Sequence, residues 1–96
     1  MTGITLDDLR DAIKNNHEIE FYLNDKPYTL QPEIRGDACY LVIWSTNDTP
    51  TCIAETPTSI SEGIQDRDIS ALLETKCFDG KSFTEVSPDI SISVIY

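Results

Sequence analysis

Residues 18–30, EIEFYLNDKPYTL, alternate with a period of two. Ile19, Phe21 and Leu23 fall on one side, and Glu18, Glu20 and Tyr22 on the other, the pattern of a strand with one buried face. Asn24-Asp25 suits a two-residue hairpin turn, because both residue types tolerate positive φ. That turn sets Leu23 opposite Lys26, Phe21 opposite Tyr28 and Ile19 opposite Leu30, so the large apolar groups share one face. Pro27 has no N–H, and in this register its nitrogen points away from the first strand. Pro32 is expected to break the second strand further on.

The flanking segments complete the pattern. Thr5 and Asp8 form a capping-box-like pair, Ile4 and Leu9 a hydrophobic staple, and Leu6, Leu9 and Ile13 one apolar face. Asn15-Asn16 stops the run, which predicts a helix over about 5–15. Arg35-Gly36-Asp37 reads as a turn. ACYLVIWS, residues 38–45, is apolar on both faces and reads as a central strand covered on both sides. TCIAE, residues 51–55, is expected to return beside it as a short strand. In 56–66, Ser59 and Glu62 suit a single helical turn. Asp68 is expected to cap a short helix that buries Ile69, Leu72 and Leu73. Asp79-Gly80 marks a turn, Ser82 and Glu85 a capping box, and Pro88 an end. Residues 90–96 alternate as a last strand, either beside a central strand or at an edge. The order predicts one α+β domain over 1–96. It has two layers: an antiparallel sheet of four to five strands, with the N-terminal helix and a short broken helical region packed on one face.

Charge narrows the function classes. The 96 residues carry 17 acids and seven bases, a net charge of −10. The first 48 residues hold nine acids against four bases and the rest eight against three, so each half is −5. The negative surface is therefore spread over the fold. Direct nucleic-acid binding needs a basic patch, which is missing, and anionic membranes are disfavoured for the same reason. A basic protein is the natural partner, met as a monomer or a homodimer.

Candidate chemistry is sparse. His17 is the single histidine, and a thiol enzyme would have to join it to Cys39, Cys52 or Cys77. No nucleophile signature surrounds any of them. Three widely spaced cysteines suit free, mostly buried thiols in a reducing compartment better than a disulfide framework or a zinc site. Gly80-Lys81-Ser82 is only a fragment of a phosphate loop. The segment DGKSFTE lacks the further acids of a calcium loop. No cofactor, metal or catalytic residue is expected. The N-terminus has no secretory layout and no apolar run reaches the roughly 20 residues of a membrane span, so the expected location is cytoplasmic. The carboxylates that remain are Asp7, Asp8 and Asp11 on the outer side of the first helix, and Glu18 and Glu20 on the first strand beside Tyr22. Rows of fixed carboxylates either cap and solvate or imitate a nucleic-acid backbone to a basic groove.

The hairpin EIEFYLNDKPYTL, followed later by LLETKCFDGKSFTEV, resembles small uncharacterised acidic proteins of Gram-positive bacteria and their mobile elements. The matching positions are Glu18 to Phe21, Lys26, Tyr28, Leu30, Leu72, Leu73, Lys76 and Asp79 to Val86. The resemblance implies a bacterial or phage-related accessory protein and carries over no catalytic residue. Together with the charge it predicts a non-enzymatic acidic interaction protein that blocks a basic, nucleic-acid-handling host protein, as an anti-CRISPR or nucleic-acid mimic does. The alternative is a small immunity or antitoxin-like accessory protein that uses an apolar contact patch.

Overall fold

The computed structural model describes residues 1–96. The chain is α+β. In order it forms α1 (Leu6–Lys14), β1 (Ile19–Leu23), β2 (Lys26–Arg35), β3 (Ala38–Ser45), β4 (Thr51–Thr58), α2 (Asp66–Leu73), β5 (Lys76–Phe78), β6 (Lys81–Ser82), α3 (Phe83–Val86), a 3-10 turn over Ser87–Asp89, and β7 (Ile90–Ile95). Five strands make one antiparallel sheet in the order β4-β3-β2-β1-β7, and β5-β6 pair as a separate small hairpin.

The β1–β2 hairpin has the expected register, with Ile19, Phe21 and Leu23 opposite Leu30, Tyr28 and Lys26. Asn24 (φ 52°) and Asp25 (φ 63°) both take positive φ, the geometry of a two-residue turn whose twist matches its strands. Asp79 (φ 54°) and Gly80 (φ 84°) repeat it between β5 and β6. The side chains of β1 and β2 that point inward meet Leu9 and Ile13 of α1, Ile69, Leu72 and Leu73 of α2, and Phe83 of α3 in one apolar cluster. Phe21 lies at its centre, stacked on Tyr28 at 5.3 Å and edge-on to Phe83 at 5.3 Å and Phe78 at 6.4 Å.

Local chemistry fixes the helices. The Asp8 N–H donates to Thr5 Oγ1 at 3.1 Å, which starts α1. A complete capping box starts α3: the Glu85 N–H donates to Ser82 Oγ at 3.2 Å, and the Ser82 N–H to Glu85 Oε1 at 3.1 Å. Lys76 Nζ joins the same carboxylate at 2.6 Å, tying β5 to α3. Together these donors hold the Glu85 carboxyl below its ordinary range. Arg10 Nη2 donates to Ser70 Oγ at 2.8 Å and Lys14 pairs with Asp66 at 3.4 Å, locking α1 to α2.

Several expectations need correction. Pro32 does not break β2, which runs on to Arg35 paired with β3. β1 ends where Ile19 meets Leu30, so the missing N–H falls on a side of the strand with no neighbour. β3 is an interior strand, as expected, paired with β2 on one side and β4 on the other. β3 is not covered by layers on both faces, since the helices pack only against the side of Leu41 and Ile43. β4 continues through Pro57 to Thr58, because edge strands tolerate proline. The single helical turn expected at Ser59 and Glu62 is present: the Gly63 N–H donates to the Ser59 carbonyl at 3.0 Å and the Glu62 N–H to Ser59 Oγ at 3.0 Å. Asp68 is not the cap of α2; Gln65 is, and the Gln65 N–H donates to the Asp68 carboxylate at 2.9 Å from inside the first turn. The three thiols are free but half-buried.

β7 is an edge strand, and the segment before α1 guards half of it. The Thr2 N–H donates to the Ile90 carbonyl at 3.0 Å and the Ile92 N–H to the Thr2 carbonyl at 2.9 Å. Gly3 (φ 104°) allows this approach, since a Cβ there would lie 2.9 Å from the Ile92 carbonyl oxygen.

Phe21→Ala should lower unfolding stability by about 3–5 kcal/mol in denaturant titration, because its cavity opens among three other rings. Ile34→Ala, at a position 79% exposed, should stay within about 0.5 kcal/mol of the parent. Equal effects at the two sites would contradict this core.

Candidate protein-binding face

Strand alternation decides what the sheet shows to the outside. Ile19, Phe21 and Leu23 point into the core, so Glu18, Glu20 and Tyr22 stand on the opposite face, which no helix covers. Register carries this face across the sheet: Glu20 neighbours Thr29 and Val94, Thr29 neighbours Trp44, Gln31 neighbours Val42, and Glu33 neighbours Tyr40. Glu55 of β4 lies beside Val42. Val42 itself is fully buried, covered by side chains of its own face rather than by a second layer. Four carboxylates, Glu18, Glu20, Glu33 and Glu55, thus share the face with one base, Arg35.

A polar network stiffens this surface. Trp44 Nε1 donates to Glu33 Oε2, Gln31 Nε2 donates to the same oxygen at 3.0 Å, and Arg35 Nε donates to Glu33 Oε1 at 3.2 Å. Arg35 also pairs with Glu55 and lies over the Tyr40 ring, 4.9 Å from its centre. Burial alone would raise the Glu33 carboxyl. The hydrogen bonds from Trp44, Gln31 and Arg35, with the Arg35 charge, outweigh it and hold the carboxyl below its ordinary range. Tyr96 closes the β7 side. Its phenol is pushed up, first by the hydrogen bond and charge of Glu20 and then by slight burial and Glu18. Glu33 and Arg35 were not legible as site residues, because a strand broken at Pro32 carries no register past it, and Glu55 joins them only through the β3–β4 register. Trp44 and Tyr40 share a face with Val42, and both are half-buried on the bare side.

The structure separates the two carboxylate clusters. Asp7, Asp8 and Asp11 are exposed on α1, whose buried side meets the core face of the sheet. Glu18, Glu20 and Tyr22 look out from the other layer. One flat partner surface cannot cover both.

Three hollows mark the surface. A shallow recess of about 250 Å³ on the bare face is lined by Glu18, Thr29, Gln31, Glu33, Trp44 and Pro50, among others. A groove of about 440 Å³ lies past the end of α1, between Pro32, Ile34 and Cys39 on one side and Ile60 and Ile64 on the other. A cleft of about 280 Å³ sits between the two hairpin turns, with Lys26, Tyr28, Asp79, Lys81 and Asp89 around it. Comparison of the chain with protein-family models, with curated proteins and with solved structures returns no match.

His17 is exposed, and its Nδ1 meets the Tyr96 carbonyl oxygen, pinning the end of β7 to the α1–β1 junction. Burial pushes the Cys77 thiol up, the wrong direction for a nucleophile. No cluster of three or more His, Cys, Asp or Glu side chains is arranged to hold a metal ion, and no helix is long and apolar enough to cross a membrane.

Because the folded Glu33 carboxyl is depressed, its contribution to stability is present above the unfolded value and is lost as pH falls through the folded one. The lone tryptophan reports this directly. Trp44 emission should titrate with a midpoint below the ordinary glutamate range, and Glu33→Gln should abolish the transition. A midpoint at or above that range would contradict the network.

Proposed function

We propose that this chain is a non-enzymatic binding protein whose bare sheet face docks a basic protein. One observation carries the reading. The five-stranded sheet has helices on one side only, and its other side sets four glutamates against one arginine, among Tyr22, Tyr40, Trp44 and Tyr96. Aromatic groups supply contact area at low entropic cost, and fixed carboxylates supply complementarity to lysine and arginine. A net charge of −10 adds long-range steering toward a cationic surface.

Proteins that handle nucleic acids present basic grooves, so such a groove is the partner surface we favour. Occupying it would block the nucleic acid, the action of an anti-CRISPR-type or other mimic inhibitor. The resemblance of the hairpin and of the β5–α3 segment to accessory proteins of Gram-positive bacteria and their mobile elements supports that setting. Three unpaired thiols suit a reducing cytoplasm.

A second reading, an immunity-type or accessory protein held by an apolar patch, has its own observation. Ile34 (79% exposed) and Ile60 (65% exposed) flank the groove past the end of α1.

Affinity capture from a Gram-positive host lysate at low and high salt tests the choice. The mimic reading expects a retained basic protein that is released as salt rises. Glu18→Lys with Glu20→Lys should weaken retention at least about tenfold, each reversal costing on the order of 1 kcal/mol or more against a cationic partner. Reversal of Asp7, Asp8 and Asp11 on the other layer should change it far less. Retention that ignores salt and fails on Ile34→Glu or Ile60→Glu would replace this reading with the apolar one.

A further inference from the structure

Resting on that reading, we propose that the recess between Glu18 and Trp44 is a notch for a single arginine side chain of the basic partner. It would make the face select arginine over lysine.

The walls of the recess define the ligand. Trp44 lines the recess, and its ring is held in place because Nε1 donates to Glu33. Glu33 itself is saturated by Trp44, Gln31 and Arg35, so it contributes negative field but little free hydrogen-bonding capacity. Glu18 also lines the recess, and no side-chain hydrogen bond or ion pair engages its carboxylate. None of the seven basic residues lines the recess. Arg35, the one base on this face, is turned away, bridging Glu33 to Glu55 over Tyr40. The space therefore combines a fixed indole, a spare carboxylate and an uncompensated negative field.

A guanidinium fits all three. Its plane stacks on the indole while its forked N–H groups reach the Glu18 carboxylate. An ammonium meets the same field as a point charge, with stronger hydration and no plane to stack. The neighbouring Arg35–Tyr40 pair shows that this surface already holds a guanidinium against an aromatic ring, at 4.9 Å.

The test uses the full chain with octa-arginine and octa-lysine peptides at matched low salt, followed by calorimetry and by the emission of Trp44, the only tryptophan. Octa-arginine should bind about two- to fivefold tighter, the worth of one exposed cation–π contact, and should perturb Trp44 emission where octa-lysine leaves it nearly unchanged. Glu18→Gln, at a site with no structural partner, should bring the two affinities together. Trp44→Leu should do the same, with circular dichroism to check its fold. Equal affinities with no emission change in the parent protein would overturn the notch and leave the acidic docking face standing. Failure of both peptides to bind would overturn both.

Discussion

The parity of the β1–β2 hairpin is the constraint on which the rest depends. A two-residue turn at Asn24-Asp25, with both φ values positive, fixes Phe21 against Tyr28. A slip of one residue would turn Ile19, Phe21 and Leu23 out to water and bring Glu18, Glu20 and Tyr22 under the helices. That slipped arrangement could not be stabilised, because burying two unpaired carboxylates costs more than the sheet gains. The core and the candidate docking face are thus two sides of one register, carried strand by strand from β1 to β4 and across to β7.

That parity also explains why the outer face carries its own hydrogen-bonded network. A bare sheet face in a small domain must still cover its backbone and its apolar residues, and here Val42 is buried without a second layer. Trp44, Tyr40 and the Glu33–Arg35–Glu55 network do the covering. Under the proposed reading the same side chains would supply aromatic area and fixed negative charge to a partner, so stability and recognition would draw on one set of residues. The acidic cluster on α1 has no such support. Asp7 and Asp8 favour the positive end of the helix dipole, an adequate structural reason for their presence.

How far these features could be read from the chain depended on whether they were local. The hairpin register, the Ser82–Glu85 capping box and the Asp79-Gly80 turn rest on neighbouring residues, and they stand as expected. The continuation of β2 through Pro32 was illegible, because it depends on where β1 stops, a fact about another strand. Glu33 was lost with it, although it continues the alternation of Thr29 and Gln31. The apolar run of β3 suggested cover on both faces, whereas Val42 is shielded by side chains that only the β2–β3–β4 register brings together. The place of β7 beside β1 is likewise a choice of tertiary pairing that local pattern does not encode.

The most direct test of the central claim is residue-resolved NMR on the labelled chain as a basic polypeptide is titrated at low salt. The account predicts that amide and indole shifts change along Glu18–Tyr22, Thr29–Arg35 and Tyr40–Trp44, collapse as salt is raised, and leave the outer side of α1 nearly silent. Shifts centred on Asp7, Asp8 and Asp11, or on Ile34 and Ile60 with no response to salt, would contradict it.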